Sequence, residues 1–200
     1  MRTAGSCTEG ATSVLDVAIR LAAVAVLVAL NAFFVAAEFA LVSLRRSRIE
    51  QMVDEGHRLG RMLLRAKDDP NRFISAAQLG ITMASLGLGW IGEATVASLV
   101  DPLFEVLPDA LHGPAQHTVS FIISFTLITL LHIVLGEQVP KMVSLQYAER
   151  TALVTIGPTE AFYRIFRPFI ALFTWATTAA LKVLRIEPAF ANLARTLEGE

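Results

Sequence analysis

The chain has 200 residues, of which 54% are apolar and 18% are charged, and its formal net charge is −1. The charged fraction lies below the roughly 25% of an ordinary soluble domain, so the composition indicates an integral membrane protein. The near-zero net charge gives no electrostatic support for nucleic-acid binding, and the single cysteine excludes an internal disulfide and a multi-cysteine metal site.

The first hydrophobic block runs from about Val14 to Leu44, after a polar tail at residues 1–12. Between Arg20 and Glu38 it has 17 uncharged residues, which is enough for a transmembrane helix. From Arg45 to Arg72 the chain then carries eight Lys or Arg residues. Basic loops stay on the cytoplasmic side, so this loop is predicted to be cytoplasmic.

The first block is interrupted by Asp16, Arg20, Asn31 and Glu38. Asn31 and Glu38 are seven positions apart, and Glu38 is expected to point into the bundle or toward water because a carboxylate cannot face lipid cheaply. Ser43 lies near the cytoplasmic end. Its hydroxyl either contributes to a site or bonds back to the carbonyl four residues earlier.

The second block, Phe73 to Gly92, has 20 uncharged residues but four glycines. Glycine costs about 1 kcal/mol relative to alanine within a helix, so the stretch Ser85–Gly89 predicts a break that joins two short helices within the membrane. The alternative is that the glycines only allow close helix packing.

The loop between Asp101 and Gln116 has no Lys or Arg and is predicted to be outside. The third block follows from about His117 to Val139, and it overlaps a stretch of 26 uncharged residues, Leu111–Gly136. Three crossings, with the N-terminus outside and the C-terminus in the cytoplasm, agree with the distribution of basic residues. We therefore expect a multi-pass protein of the cell (inner) membrane.

The third block ends in Gly136, Glu137 and Pro140. A proline breaks the helix because it has no N–H for the carbonyl four residues earlier, which here is that of Gly136. A free carbonyl beside a carboxylate in the membrane suggests a cation site. The alternative is a proline kink with a glutamate that reaches the membrane edge.

After Arg150, the charged residues divide the apolar ones, and the uncharged run from Pro168 to Leu181 has only 14 residues. The segment at about 150–186 is thus predicted to be a helical belt along the cytoplasmic interface, with a fourth span as the alternative. Residues 187–200 form a polar tail. The expected fold class is an all-α membrane protein with three spans, the second broken, and this juxtamembrane belt.

The polar groups of the three blocks offer hydroxyl, carbonyl and carboxylate oxygens, which are the ligands of hard cations such as Mg²⁺, Ca²⁺ or Na⁺. The His and Cys sets typical of zinc or copper sites are missing. His132 is the one histidine within a span and is either an ion or proton ligand or a packed residue that bonds across helices. A hydrolase built on Ser43, His132 and Glu137 would lack the glycines of a nucleophile elbow, so no enzyme activity is predicted.

Three segments resemble the transmembrane domain of the CorC/CNNM family: Asn31–Ser43 (NAFFVAAEFALVS), Ser85–Glu93 (SLGLGWIGE) and Gly136–Lys141 (GEQVPK). The resemblance covers about residues 12–186, with the transmembrane domain itself at 13–186. It implies a homodimer in the lipid bilayer that exports Mg²⁺, with Na⁺ as a candidate driving ion, and a Mg²⁺ site that faces the cytoplasm.

Carried over by position, the resemblance implies a metal site of Ser43, Gly136 and Glu137. Some family members have an asparagine in or after the second motif, and this chain has none. A backbone carbonyl at Leu86 or Gly87, or the side chain of Glu93, is expected to substitute. Asn31, Glu38, Ser85 and His132 are further polar candidates.

Family members continue into a pair of nucleotide-binding CBS modules in the cytosol, and this chain is expected to be a piece that stops before them. The leading hypothesis is a Mg²⁺ transporter that works by alternating access. The alternative is a Mg²⁺-sensing dimeric scaffold that controls another protein and moves no ions itself. The ligand types alone also permit a Na⁺ or Ca²⁺ site.

Overall fold

The computed structural model describes residues 6–104 and 114–184, and its regular elements in these ranges are helices. The α-helices are α1 (Ser6–Ser43), α2 (Arg46–Asp54), α3 (Arg58–Asp68), α4 (Pro70–Phe104), α5 (Pro114–Leu131), α6 (Val139–Gln146) and α7 (Ala148–Val183). A π-helical segment, His132–Gln138, joins α5 to α6. The all-α fold class is confirmed. The predicted tail at 187–200 and most of the predicted outer loop lie outside the described residues.

Three helical stretches are long and apolar enough to cross a membrane: Leu15–Ser43, Pro70–Leu99 and Thr118–Gln146. They coincide with the three hydrophobic blocks, so the three predicted spans are confirmed. No other helix within the described ranges meets these criteria, and α7 is therefore not a fourth span of this kind. The third stretch includes α5, the π-helical segment and α6.

The predicted break in the second span is wrong. Helix α4 runs without interruption through Ser85–Gly89. Two of its glycines are close contact points, because a Cβ on Gly80 would lie 2.4 Å from the Phe34 ring of α1 and one on Gly92 would lie 2.8 Å from Ile128 of α5. The missing side chains let neighbouring helices approach α4 closely, as the packing alternative predicted.

The basic loop folds into a short helical hairpin. Gly56, with a φ of 82°, ends α2 in the left-handed conformation that glycine favours. The N–H groups of Gly56 and His57 bond to the carbonyls of Val53 and Met52, at 2.9 and 3.0 Å, which satisfies the last turn of α2. The chain thus reverses into α3.

Helix α3 fastens the end of the first span. The Nζ of Lys67 donates to the carbonyls of Leu41 and Val42, at 3.0 and 3.2 Å. A cation is favourable at the C-terminus of a helix, where the last carbonyls lack helical partners. Partial burial in this position lowers the pKa of Lys67 below its ordinary value.

Helix α7 packs against the bundle, as predicted for the belt. Its residues Ala152 and Ile156 are buried in one apolar cluster with Leu41 of α1 and Ile49 of α2. Arg48 of α2 also donates two hydrogen bonds, both of 2.9 Å, to the carboxylate of Glu149 at the start of α7. The position of α7 at the membrane surface stays a prediction.

A second apolar cluster lies between the three spans. Val24 and Val28 of α1 contact Leu88 of α4 and Ile128 of α5. Large apolar side chains also point outward from the spans, and Trp90 on α4 is 86% exposed. This arrangement is typical of helices that are surrounded by hydrocarbon.

Candidate functional site

The third span changes its helical geometry at the predicted cation motif. In the π-helical segment His132–Gln138, the N–H of Val139 bonds to the carbonyl of Val134, five residues earlier. Pro140 lies in the first turn of α6, where a backbone N–H has no partner within that helix, so the missing N–H of proline costs little stability. The span therefore continues past Pro140, and the predicted helix break is in fact a widened turn. Such π-helical turns are frequent at functional sites.

Gly136 lies at the centre of this segment and faces α1. Its carbonyl accepts a hydrogen bond of 3.1 Å from the Nδ2 of Asn31, whose side chain is completely buried. A Cβ on Gly136 would lie 2.9 Å from the ring of His132 and 3.0 Å from the amide of Asn31. Only a glycine leaves room for this contact.

The hydrogen bonds continue to the second span. The hydroxyl of Ser85 donates to the Oδ1 of Asn31 at 3.2 Å, and its oxygen lies 3.3 Å from the Nε2 of His132. Because a hydroxyl has one proton, both contacts of Ser85 form together when the Nε2 of His132 is the donor, and the tautomer of the imidazole sets this direction. The same Nε2 is 3.7 Å from the Oε1 of Glu137.

The resulting network joins one residue of each of the first two spans to three of the third. We call it the polar network, and its members are Asn31, Ser85, His132, Gly136 and Glu137. It changes from fully buried at Asn31 to 43% exposed at the side chain of Glu137. The carboxylate is therefore the member that an ion from outside the bundle would meet first.

A cavity of about 80 Å³ adjoins the polar network between α4 and α5. Ser85, Glu93 and His132 line it together with the apolar side chains of Leu88 and Ile128. Three of the predicted accessory residues are thus brought to one place. The contact of His132 with Ser85 is the cross-helix bond that the packing interpretation of this histidine predicted.

Ser43 is not brought to this place. Its hydroxyl donates to the carbonyl of Phe39 at 2.7 Å, which is the local bond that the alternative interpretation predicted. Ser43 follows Asn31 by twelve residues, or about 18 Å along the helix axis at 1.5 Å per residue. In this conformation, Ser43 and Gly136 do not converge on one ion, and a ligand role for Ser43 stays a prediction.

Leu86 and Gly87 are also placed differently from the prediction. Because α4 is continuous, their carbonyls lie within a regular helix and are not freed by a break. The side chain of Leu86 is 71% exposed, and Gly87 faces Leu27 of α1.

Glu38 is half-buried and, within the residues the structure describes, has no hydrogen-bond or ion-pair partner.

The sequence alone identified Asn31 as an accessory residue but missed its bond to Gly136. The available signal was an uncharged amide within an apolar span, since such groups usually find a partner in the bundle.

In the part of the chain that the structure describes, no three His, Cys, Asp or Glu side chains are grouped as a metal site. A cation here would depend on amide, hydroxyl and carbonyl oxygens, with Glu137 supplying the charge.

Comparison with known proteins gives a family match over most of the chain. The model of the Cyclin M transmembrane N-terminal domain (CNNM) matches residues 21–198. The UPF0053 protein YhdT of Bacillus subtilis is 43% identical over 166 residues, which cover 83% of this chain and 36% of YhdT. The UPF0053 protein YhdP of the same organism is 40% identical over 174 residues, which cover 87% of this chain and 39% of YhdP.

A third relative, the uncharacterized protein Rv1841c of Mycobacterium tuberculosis, is 37% identical over 164 residues, which cover 81% of this chain and 45% of Rv1841c. The chain thus spans less than half the length of each of these relatives. The family match includes the polar network, the second and third spans, and the first span from residue 21 onward. The chain belongs to the CNNM transmembrane-domain family, and the resemblance carried by its three motifs is confirmed.

Proposed function

We propose that this membrane domain binds Mg²⁺ at the polar network and transports it by alternating access. The observation that carries the proposal is the meeting of all three spans at one π-helical turn, where Gly136 and the half-exposed Glu137 lie beside Asn31 and Ser85. Carbonyl, amide, hydroxyl and carboxylate oxygens are the ligands of hard cations. A site with one carboxylate binds weakly enough to release its ion, as transport requires.

The hydrogen bonds of the polar network are compatible with an exchange during transport, in which the Gly136 carbonyl replaces the Asn31 amide with the cation. Asn31 now holds the Gly136 carbonyl, so a cation that takes this oxygen must displace the amide. The Oδ1 of Asn31 would then be free to rotate toward the ion. Mg²⁺ keeps several of its waters in protein sites, so these few oxygens are sufficient.

The wider ligand set implied by the family resemblance needs a second conformation of the spans. Ser43 is about 18 Å along α1 from Asn31, which is too far for both to bind one ion in the present arrangement. Rocking of helices around a central site is the usual way in which transporters change access. We propose that Ser43 belongs to the cytoplasm-facing state.

The proposed setting is the inner membrane, with the basic α2–α3 hairpin in the cytoplasm. We further propose that two copies form a homodimer, that Na⁺ drives export, and that the longer family members place their CBS modules below α7. These parts of the proposal rest on the family membership and on the distribution of basic residues.

The first test is Mg²⁺ binding to the purified chain in detergent, measured by calorimetry with Ca²⁺ and Na⁺ as competitors. Glu137→Gln should weaken Mg²⁺ binding by at least the roughly 10- to 100-fold that loss of an outer-shell partner costs, because it removes the charged ligand itself. Glu55→Gln, an exposed residue of the basic hairpin, is the matched control and should bind as the original. Unchanged binding by Glu137→Gln would contradict the site.

Transport requires a second measurement with the purified chain in sealed vesicles. A Mg²⁺ flux that is lost in Glu137→Gln would support a transporter, because no other protein is present. Saturable binding without any flux would instead favour the sensing scaffold.

A further inference from the structure

A basic pocket lies where α4 begins and α7 passes it. A space of about 410 Å³ is lined by Arg72, Glu160, Tyr163, Arg164 and Arg167. A second space of about 220 Å³ shares Arg72, Glu160 and Arg164 and adds Arg65 and Asp69. Four arginines therefore face two carboxylates. The pocket has an excess of positive charge and favours an anion.

The arginines differ in how firmly they are held. Arg72 donates to Glu160, and its guanidinium lies 4.2 Å from the centre of the Tyr163 ring. Arg164 is 3.6 Å from the same carboxylate and is mostly exposed. Arg167 is exposed and, among the described residues, forms no hydrogen bond or ion pair. One oriented arginine and two available ones could bind a phosphate group.

The pocket lies at the boundary of the hydrocarbon. Arg72 is the third residue of the second span, Pro70–Leu99, and Asp69 caps this helix by accepting from the Arg72 N–H at 3.4 Å. Tyr163 in the pocket and the exposed Trp175 farther along α7 are the residue types that anchor a protein at the lipid headgroups. An anion bound here would be at the depth of a phospholipid headgroup.

An uncharged groove of about 470 Å³ adjoins the pocket between α4 and α7. Arg167 of the pocket and Ile170 of the groove are three residues apart on α7, so they lie on one face of this helix and the groove follows the pocket along it. The groove has apolar walls from Leu79, Ile170, Phe173 and Leu181.

Three of the five hydroxyls that line the groove are already paired within their own helices. Thr82, Thr174 and Thr178 each donate to a carbonyl of their own helix, at 2.8, 2.9 and 2.8 Å. Their donor capacity is satisfied, and they present methyl groups and acceptor oxygens to the groove. A hydrocarbon chain or an ester can lie there without leaving these donors unpaired.

We propose that the basic pocket and the α4–α7 groove together bind one anionic phospholipid, with its phosphate at Arg72, Arg164 and Arg167 and an acyl chain in the groove. Charge complementarity selects the headgroup, and the continuity of the pocket with an uncharged groove at membrane depth selects a lipid over a soluble anion. The bound lipid would connect α7 to the second span beside the Arg72–Glu160 ion pair.

The test is native mass spectrometry of the delipidated chain with phosphatidylglycerol or phosphatidylcholine of the same acyl chains. The original chain should retain more phosphatidylglycerol than phosphatidylcholine. Arg164→Gln combined with Arg167→Gln should weaken this binding by about fivefold for each arginine, or about 25-fold together. Arg58→Gln combined with Arg61→Gln, two exposed arginines of α3 that do not line the pocket, should have no effect.

A second pair of variants tests the groove. Thr178→Phe places a ring in the groove and should reduce phosphatidylglycerol retention, whereas Ala171→Phe adds the same ring on an exposed position outside it. Thermal unfolding checks that both variants are folded.

Equal retention of the two lipids, or no loss in the double arginine variant, would overturn the proposal. So would displacement of phosphatidylglycerol by millimolar inorganic phosphate together with normal retention by Thr178→Phe, because the pocket would then be a soluble-anion site. None of these measurements depends on Mg²⁺ binding.

Discussion

The side-chain amide of Asn31 holds the backbone carbonyl of Gly136 at 3.1 Å, although 105 positions separate the two residues. The bond fastens the first span to the π-helical turn of the third. A carbonyl without any partner inside a membrane costs several kcal/mol, so this oxygen needs either the amide or a cation. The stability of the bundle and the proposed ion binding therefore depend on the same two residues.

Replacing Asn31 by leucine should destabilise the fold, because it keeps the number of side-chain heavy atoms and removes the amide that donates to the Gly136 carbonyl. Hydrogen bonds between membrane helices contribute about 0.6 kcal/mol on average and up to about 1.7 kcal/mol. The change is measured by thermal or denaturant unfolding in detergent. Asn71→Leu is the control, since Asn71 is exposed and forms no side-chain hydrogen bond within the described residues. Equal stability of Asn31→Leu and the original would refute the role of the bond.

A methyl group on Gly136 should disrupt the polar network. It would lie 2.9 Å from the ring of His132 and 3.0 Å from the amide of Asn31, and neither contact can be accepted without movement of a buried side chain. Overpacking of this kind costs about 1–3 kcal/mol. Gly136→Ala should accordingly unfold at a lower temperature and bind Mg²⁺ more weakly in calorimetry. A variant with normal stability and normal Mg²⁺ binding would show that the turn adapts freely.

The close approach of α1 and α4 at Gly80 can be tested in the same way. A Cβ there would lie 2.4 Å from the ring of Phe34, so Gly80→Ala should separate the two helices and destabilise the bundle by about 1–3 kcal/mol. At Gly89, on the same helix, a Cβ would meet nothing within 4 Å. Gly89→Ala should be neutral or stabilising by up to about 1 kcal/mol, because it removes the helical cost of glycine. The idea of α4 as a packed, continuous helix would fail if both variants had the same melting temperature.

The ion pair between α2 and α7 should contribute a pH-dependent part of the stability. Hydrogen bonds from Arg48 lower the pKa of Glu149 below its ordinary value of 4.5. A depressed carboxyl pKa adds stability that is present above 4.5 and is lost as the pH falls through the folded-state value. The melting temperature of the original should thus exceed that of Glu149→Gln at pH 7, and this difference should shrink as the pH falls below 4.5.

The matched control for this pH series is Asp54→Asn, an exposed residue of α2 without a partner in the described ranges. This variant should melt at the same temperature as the original at pH 7, because it leaves the contact of Arg48 with Glu149 intact. The pair between Arg48 and Glu149 is partly exposed, so the expected gap at pH 7 is small. A gap that persists unchanged in acid would mean that the pair does not stabilise the contact of α2 with α7.

The local pattern of residues was sufficient to determine the three spans and to locate the basic loop and the Gly136–Pro140 motif. Span length follows from bilayer thickness, and the predicted topology follows from the placement of Lys and Arg; both can be counted along the chain. The missing N–H of Pro140 likewise identified the Gly136 carbonyl as a group that needs a partner. These features depend on residues that are close together in sequence.

Tertiary structure decided the rest, because it depends on the rotation and depth of each helix. Glycine propensity predicted a break at Ser85–Gly89, but a broken backbone in lipid would leave carbonyls unpaired, and packing against Phe34 and Ile128 favours the continuous helix. Only the assembled bundle shows that Asn31 is the partner of Gly136 and that Ser43 is distant from both. The basic pocket and its groove also exist only where α7 meets α4, so no stretch of the sequence contains them.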